Sequence, residues 1–399
     1  MTRVFVIVLD SLGVGALPDA ADFGDVGAHT LDHIAAGMGE HFAIPRLVEL
    51  GLGHVPGVTG IARTQLALAA TGRCLESSPG KDTSTGHWEM MACGLDQGFP
   101  VYKDGFPAEI IDEFVRRCDL PGVLCNAPAS GTEVIERLGV EHIATGKPIV
   151  YTSADSVFQV AAHEEHYGID RLIEHCKIAR EMFDPLGLGR IIARPFVGEP
   201  GSFKRTYNRR DFSLLPPHAT SLDRLKEAGV EVVGVGKIED IFAGLGVTQS
   251  IHTEGNRDGM QHTIRVAREL DAGFVFVNLV DFDMLFGHRR DVTGYGRALE
   301  EFDIDLRALE VELREGDLVI LTADHGNDPS HPVGTDHTRE YIPIVAWHHG
   351  QSGAAGIDLG TRSSFADIGA TVEASFGLTA TEGASFLSDL RGRVAAEGS

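Results

Sequence analysis

Three short runs of apolar residues in this chain each stop abruptly at an aspartate. The runs cover residues 3–9, 273–280 and 318–323, and the aspartates that follow them are Asp10, Asp281 and Asp324. Runs of this length, rich in branched apolar residues, are typical of buried parallel strands. Because ligands bind beyond the carboxyl ends of strands in open parallel sheets, we expect the three acidic clusters to share one cleft.

Alternating helix and strand patterns indicate an α/β protein with two domains, since 399 residues exceed one typical domain. A self-contained α/β series over residues 98–217 interrupts the series that contains the three strands. We therefore expect a mostly parallel sheet sandwiched by helices, built from residues 1–97 and 218–399, with the smaller α/β domain inserted as a cap. Besides the three runs, the patterns predict strands at 122–125, 149–152, 190–196 and 230–235, and helices at 29–36, 45–50, 107–118, 131–138, 169–183, 221–228, 257–270 and 294–314.

Carboxylates and imidazoles gather after the three runs. Uncompensated charge next to a core costs several kcal/mol or more, and bound metal would compensate it. Mixed oxygen and nitrogen ligands suit Mn²⁺ or Zn²⁺ better than Mg²⁺. Two ions about 4 Å apart can clamp a phosphoryl group and activate a hydroxyl. The candidate ligands are Asp10, Asp281, Asp283, His288, Asp324, His325 and His337.

The segment SSPGKDTSTGHWEMMACG, residues 77–94, predicts a loop that leads into a helix. Thr83 or Thr85 could supply a nucleophilic hydroxyl, and capping of the helix is an equally good interpretation of either threonine. A P-loop is excluded because Asp82 stands where a Ser or Thr is required. A dinucleotide fingerprint after the first strand is excluded because Pro18 replaces its third glycine.

The net charge of −24 argues against nucleic acid or an anionic membrane as a partner. One basic segment therefore stands out: FKRTYNRRD contains Lys204, Arg205, Arg209 and Arg210. Guanidinium groups bind phosphate bidentately, so this segment is a candidate phosphate site, with a surface ion-pair patch as the equal alternative.

The cysteines and the N-terminus predict a cytoplasmic protein. Five cysteines form an odd set without a CxxC pair, which favours neither a disulfide framework nor a thiolate zinc site. The apolar run at the N-terminus is too short for a signal peptide, and no segment approaches membrane-spanning length.

Several motifs, in this order and spacing, resemble those of bacterial phosphopentomutases. They are VLDSLGVGALPDA, GKDTSTGHWE, YTSADSVFQ, ARPF, FKRTYNRRDF, VNLVDFDMLFGHRRD and TADHGNDP with GTDHTREYIP. The resemblance runs from Val8 nearly to the C-terminus. That family belongs to the alkaline phosphatase superfamily, as does cofactor-independent phosphoglycerate mutase, so the resemblance implies an alkaline-phosphatase-like core.

The resemblance implies an enzyme that interconverts ribose 1-phosphate and ribose 5-phosphate, and the 2-deoxyribose pair, through a phosphothreonine. It implies two Mn²⁺ ions per chain and a sugar bisphosphate of the glucose 1,6-bisphosphate type as activator. Thr83 matches the nucleophile because it lies four residues before His87, and Thr85 is the alternative. By position, one ion would be held by Asp283, His288 and His337, and the other by Asp10, Asp324 and His325.

The resemblance also implies residues that bind the pentose phosphate. Ser153, Asp155 and Val157 match sugar contacts, Arg205 and Arg209 match a phosphate clamp, and Arg190, Arg194 and Lys237 match less specifically. The chain departs from the family pattern by one extra residue near His331. Either the loop bulges there, which we favour, or His331 competes as a metal ligand.

Three alternatives to this function remain. Two are a metal-dependent phosphatase and a phosphoglycerate mutase on the same core, and the pentose-type motifs argue against both. The third is a non-catalytic metal-dependent binding protein, which would not need the GKDTSTGHWE segment. The expected partner is a small pentose phosphate, and the sequence indicates no protein partner.

Overall fold

The structure is a computed structural model that describes residues 2–153 and 156–390. It divides into two compact units. The first is formed by the residues up to Gly98 and from Pro216 onward, and the second by Phe99–Leu215. Among the helices that the structure describes, none is long and apolar enough to cross a membrane.

The described residues form fourteen strands. In chain order they are β1 Arg3–Leu9, β2 Ala70–Cys74, β3 Leu124–Pro128, β4 Ile149–Thr152, β5 Val157–His163, β6 Arg190–Val197, β7 Lys204–Arg205, β8 Arg210–Ser213, β9 Val232–Val235, β10 Gln249–Ile251, β11 Gly273–Leu279, β12 Leu318–Thr322, β13 Ile342–His348 and β14 Asp358–Arg362.

Thirteen α-helices accompany these strands. They are α1 Ala20–Phe23, α2 Thr30–Met38, α3 Pro45–Leu50, α4 Thr83–Met90, α5 Ala108–Arg117, α6 Gly131–Thr145, α7 Ile169–Phe183, α8 Ser221–Glu227, α9 Ile238–Ile241, α10 Asn256–Glu269, α11 Val292–Glu312, α12 Ala366–Ser375 and α13 Leu387–Leu390. Two π-helical turns lie at Glu164–Gly168 and Phe282–Gly287, and three 3₁₀ turns lie at Gly39–His41, Leu52–His54 and Asp184–Leu186.

The first unit is built on an eight-stranded sheet with the order β10-β9-β11-β1-β12-β13-β2-β14. Only β13 runs antiparallel to its neighbours in this sheet. Strand β1 lies between β11 and β12, with Phe5 opposite Val275 and Val319. All seven of its residues are buried, as expected for a strand covered on both faces. The predicted mostly parallel sheet is confirmed, and the three strands that end in aspartates are adjacent.

The second unit contains a six-stranded mixed sheet with the order β3-β4-β5-β6-β7, and β8 also pairs with β6. Alternate side chains of β5 enter two separate cores. Phe158 packs with Phe114 and Phe183 of α5 and α7, whereas Ala161 lies in the cluster that contains Val134 and Ile135 of α6. Both faces of this sheet are therefore covered by helices.

Several predicted elements are confirmed at both ends, namely strands 3–9 and 149–152 and helices 45–50 and 169–183. Others differ. Strand β5 was not predicted, and β3 begins at Leu124 rather than at residue 122. Helix α6 continues beyond residue 138 through Gly139, where a Cβ would lie 2.6 Å from the Phe203 ring. This glycine makes room for a neighbouring ring instead of ending the helix.

Candidate metal centre and active site

The carboxyl ends of β11, β1 and β12 bring the predicted metal ligands together. Asp10 follows β1 directly, and Asp324 and His325 follow β12. Asp283 lies in the π-helical turn after β11, and His288 follows that turn. Because these strands are neighbours in one parallel arrangement, their ends meet at the same edge of the sheet.

His337 reaches the same place on the long connection between β12 and β13. The backbones of Gly326 and Thr338 form a two-residue bridge, with N–H···O distances of 3.1 and 2.8 Å. This bridge places His337 against His325, whose ring stacks on it at a centroid distance of 3.9 Å. The connection thus folds back over the strand end that supplies Asp324.

Two overlapping groups of side chains have the geometry of metal ligands. In each group the ligand atoms lie within 4.8 Å of one another. One group is Asp10, Asp324 and His325, and the other is Asp283, His325 and His337. His288 adjoins the second group, with its Nε2 3.1 Å from Asp283 Oδ2 and 3.2 Å from His337 Nε2. The six ligands that the family resemblance implies therefore gather in one place, with His325 in both groups.

The carboxylate oxygens at this place fit a bound cation. Asp10 Oδ2 accepts from Asn278 Nδ2 at 2.9 Å, and Asp324 Oδ1 accepts from the Ser11 N–H at 3.0 Å. The other oxygen of each carboxylate is buried and accepts no hydrogen bond from any residue that the structure describes. His325 Nε2 lies 3.5 Å from Asp10 Oδ1 and 3.3 Å from Asp324 Oδ2. Unpaired buried carboxylate oxygens beside an imidazole nitrogen are a donor set for a divalent metal ion.

Electrostatics at the cluster also indicate a missing positive charge. Burial raises the pKa of Asp10, and the carboxylates of Asp324 and Asp283 raise it further. Burial acts on Asp283 in the same direction, but the charge of His337, the hydrogen bonds from His288 and His337 and the charge of His325 together lower the pKa of Asp283. In return, although burial opposes it, Asp283 raises the pKa of His337 to about 10. A metal ion would supply the charge that these carboxylates otherwise take from protonated histidine.

The two candidate nucleophiles, Thr83 and Thr85, have different surroundings in the structure. Thr83 begins α4, and its Oγ1 lies 3.2 Å from His325 Nε2. Thr85 is fully buried and donates its hydroxyl to Asp82 Oδ2 at 2.5 Å. Asp82 caps the helix by accepting from the Ser84 and Thr85 N–H groups. The hydroxyl of Thr85 is therefore part of the cap, whereas that of Thr83 faces the predicted metal ligands.

The loop before α4 is tied down by buried charged side chains. Glu89 accepts from the Ser77 and Ser78 N–H groups at 2.9 and 2.6 Å. Arg339 is buried, pairs with Glu76 at 2.7 Å and donates to the Ser78 carbonyl at 2.8 Å. Charge-assisted bonds of this kind hold the start of α4, and with it Thr83, in a fixed position.

Sequence reasoning missed the contacts of three polar residues, of which two orient candidate ligands and one bonds the backbone of Thr83. Asn278 donates to Asp10, and Asn327 Nδ2 donates to Asp283 Oδ1 at 2.7 Å. His87 donates from Nδ1 to the Thr83 carbonyl at 2.9 Å, which leaves its Nε2 toward Asn278 Nδ2 at 3.4 Å. The available signal was Asn278 itself, the one polar side chain in the apolar run 273–280.

The remaining predicted site residues are placed as follows. Lys237 follows β9 at the same edge of the sheet, and its charge acts on Asp10. Ser153, Val157, Arg190, Arg194, Arg205 and Arg209 line one cavity of about 330 Å³ in the second unit. Asp155 lies outside the described residues.

His331 directs Nε2 to the Val26 carbonyl at 3.3 Å and lies in neither ligand group. Asp281 accepts from the Asn256 N–H at 2.7 Å and is likewise in neither group.

The chain is similar to proteins of known family. Residues 2–380 match the Metalloenzyme superfamily. A phosphopentomutase of Anaeromyxobacter sp. (strain K) is 53% identical over 97% of this chain and 99% of its own length. A phosphopentomutase of Symbiobacterium thermophilum is 51% identical over 98% of each chain. The solved structure of a phosphoglycerate mutase from Leishmania mexicana covers 96% of each chain with 13% identity and a TM-score of 0.46. By its identity to the two phosphopentomutases over nearly its whole length, the chain belongs to the phosphopentomutase family of the metalloenzyme superfamily.

Proposed function

We propose that this chain is a phosphopentomutase that interconverts ribose 1-phosphate and ribose 5-phosphate, and the corresponding 2-deoxyribose phosphates. The observation that carries the proposal is the 53% identity to a phosphopentomutase over 97% of the chain. The grouping of the predicted ligands around the Thr83 hydroxyl supports it independently. A cytoplasmic location is part of the proposal and rests on the five free cysteines.

Two Mn²⁺ ions per chain are proposed as the metal content. Asp10, Asp324 and His325 would hold one ion, and Asp283, His288 and His337 the other. His325 lies close enough to both groups to be a ligand of either ion. When bound, such ions lower the pKa of a hydroxyl and balance the charge of a transferring phosphoryl group. Asn278 and Asn327 fix the orientation of two ligand carboxylates by donating to them.

Thr83 is proposed to carry the phosphoryl group in the resting enzyme. The bond between Thr83 Oγ1 and phosphorus breaks as a hydroxyl of the pentose phosphate attacks, which gives a pentose bisphosphate. The other phosphate then returns to Thr83, so the products are the isomeric pentose phosphate and the phosphorylated enzyme. A sugar bisphosphate of the glucose 1,6-bisphosphate type would supply the first phosphate.

The side chains that surround Thr83 suit this role. The rigid helix start, fixed by Asp82 and by the Glu89 and Arg339 contacts, keeps Oγ1 in one position during both transfers. Phosphoryl transfer needs positioning and charge stabilisation more than covalent assistance. The groups around the ligand cluster are therefore sufficient for Thr83, and no separate general base is required.

Pentose phosphate binding is proposed for Ser153, Asp155, Val157, Arg194, Arg205, Arg209 and Lys237. The cavity of the second unit supports this assignment for the arginines. Arg194 donates from Nε to Gln159 Oε1 at 3.1 Å, and Arg209 is held by Asp211 through bonds of 2.6 and 2.5 Å. Each guanidinium group is thus held by hydrogen bonds from some of its N–H groups, and its remaining N–H groups can donate to a phosphate.

The rival functions are a phosphatase and a phosphoglycerate mutase. A phosphatase would pass the phosphoryl group of Thr83 to water, and a phosphoglycerate mutase would act on a carboxylate-bearing substrate. The identity of both named bacterial relatives as phosphopentomutases favours the pentose substrate.

The test is a phosphorylation experiment combined with an activity assay. The Mn²⁺-loaded protein is exposed to glucose 1,6-bisphosphate and analysed by intact mass and peptide mapping, together with Thr83→Ala and Thr85→Ser. We expect one phosphate on Thr83, its loss in Thr83→Ala and its retention in Thr85→Ser, in which the capping hydroxyl is preserved. Conversion of ribose 5-phosphate without release of inorganic phosphate separates the mutase from a phosphatase. A wild-type protein that neither gains phosphate nor converts ribose 5-phosphate would refute the proposal.

A further inference from the structure

A tyrosine that the sequence did not assign lies in the arginine-lined cavity of the second unit. Tyr151 is on β4, and its side chain is only 1% exposed. Tyr151 lines the cavity, and its buried hydroxyl has no hydrogen-bond partner among the residues that the structure describes. A buried hydroxyl without a partner lowers stability, so one that faces a cavity indicates a ligand that completes the bond.

The charge around this hydroxyl selects an anionic ligand. Arg194, Arg205 and Arg209 lie near enough to act on the phenol. Asp211 pairs with Arg209, and none of the described residues that line the cavity is a carboxylate. Local positive charge of this kind, in a chain with a net charge of −24, suits a phosphate group.

The start of α6 adjoins the hydroxyl at a glycine. Gly131, the first residue of this fifteen-residue helix, lines the same cavity. A Cβ at Gly131 would lie 2.7 Å from Tyr151 Oη and 3.6 Å from Arg205 Nη1. The Ser130 side chain makes no capping hydrogen bond to the helix, so the first N–H groups of α6 are not used by that side chain. A helix N-terminus of this kind adds donors and partial positive charge on the same side as the arginines.

We propose that the Tyr151 hydroxyl donates a hydrogen bond to the phosphate of the bound pentose phosphate that is not being transferred, and that Gly131 keeps this position open. The inference rests on the proposed function and adds a donor to the arginines already assigned there. A phosphate monoester can accept this bond while its other oxygens meet the guanidinium groups. Tyr151 thereby becomes a residue that selects phosphorylated over unphosphorylated sugars.

The test compares Tyr151→Phe with Tyr167→Phe. Tyr167 is in the same unit and is also buried, but its hydroxyl bonds His175 Nδ1 at 2.7 Å and does not line the cavity. We expect Tyr151→Phe to raise KM for ribose 5-phosphate at least about tenfold, the usual effect of losing a bond to a charged group. Its melting temperature without ligand should be unchanged or higher, because an unpaired hydroxyl is removed. Tyr167→Phe should show the opposite pair of effects, a lower melting temperature and an unchanged KM.

Gly131→Ala provides a second, independent variant. Its added methyl group would meet the Tyr151 hydroxyl, so KM should also rise while the helix gains propensity. A Tyr151→Phe variant with KM within twofold of an active wild type would overturn the inference and leave the proposed function intact. A melting temperature lowered as in Tyr167→Phe, with KM unchanged, would assign Tyr151 a structural role instead. Failure of the wild type to convert ribose 5-phosphate would refute the proposed function itself.

Discussion

Substitution of Gly86 by alanine tests whether α4 is held at a fixed distance from the candidate metal ligands. Gly86 lies in the first turn of α4, against the backbone at the end of β12. A Cβ at this position would lie 2.0 Å from the Asp324 carbonyl oxygen and 2.8 Å from its carbonyl carbon. Both are main-chain atoms, so no side-chain rotation can relieve the contact. The helix and the strand end must separate.

The size of the separation follows from these distances. Real Cβ contacts essentially never fall below 3.0 Å, so α4 and Asp324 must part by at least about 1 Å. Thr83 Oγ1 now lies 3.2 Å from His325 Nε2, and the shift is large compared with the tolerance of such a contact. A displacement of about 1 Å in a catalytic group can cost about 100-fold in rate. We therefore expect kcat of Gly86→Ala to fall at least about 100-fold.

Stability should change much less than activity. Alanine is favoured over glycine inside a helix by about 0.5–1 kcal/mol, whereas overpacking costs about 1–3 kcal/mol. These two effects partly offset each other, so the variant should remain folded. The measurement is the rate of ribose 5-phosphate formation by the Mn²⁺-loaded variant, together with its melting temperature and its phosphate content at Thr83.

Gly259→Ala is the matched control for this experiment. Gly259 lies in α10, where the nearest atom to an added Cβ is Leu279 Cδ2 at 3.0 Å, the end of a flexible side chain. Its activity should stay within about twofold of the wild type, since the side chain can yield. A folded Gly86→Ala protein with kcat within threefold of the wild type would refute the argument that α4 must contact Asp324 so closely.

Three further predictions follow from the structure. Removal of divalent metal with a chelator should abolish activity and lower the melting temperature, because the buried Asp10 and its neighbours lose their counter-charge, and added Mn²⁺ should restore both. Burial lowers the pKa of His142, whose Nε2 accepts from the His163 N–H, so the unfolded state binds more protons below pH 6.5. The melting temperature should therefore fall from pH 7 to pH 5. This fall should be smaller in His142→Gln. Glu164 Oε1 accepts from Thr206 Oγ1 and Asn208 Nδ2 on the turn between Arg205 and Arg209, so Glu164→Gln should raise KM for ribose 5-phosphate severalfold. Glu165→Gln, for which the structure describes no such bond, should leave KM unchanged. Equal KM values in the two variants would contradict this prediction.

The grouping of the candidate metal ligands could be predicted from the sequence because a simple rule connects them. Asp10 and Asp324 follow short apolar runs, and parallel strands bring such ends to one edge whatever the order of the strands. His337 and His288 could be placed only through the family motifs, since each lies on a connection whose path the apolar pattern does not determine. Tertiary contacts such as the Gly326–Thr338 bridge decide that path.

Finer assignments depended on geometry that the sequence does not contain. Thr83 and Thr85 are two residues apart and both follow the loop SSPGKD, so pattern alone left a nucleophile and a cap equally possible. The bond from Thr85 to Asp82 and the position of Thr83 beside His325 distinguish the two in the structure. Similarly, a helix was predicted to end at residue 138, but α6 continues through Gly139, which makes room for the ring of Phe203, a residue distant in the chain.

The split of the first unit has a consequence for how the chain folds during synthesis. The central strand β1 is made first, but its two neighbours are β11 and β12, which belong to residues 273–279 and 318–322. Strand pairing over such a separation requires closure of a very long loop, which makes it slow. The strands of Phe99–Leu215 pair only within that segment and can fold as soon as it leaves the ribosome. Residues 3–9, among the most apolar of the chain, must therefore stay protected from aggregation until nearly the whole protein has been translated.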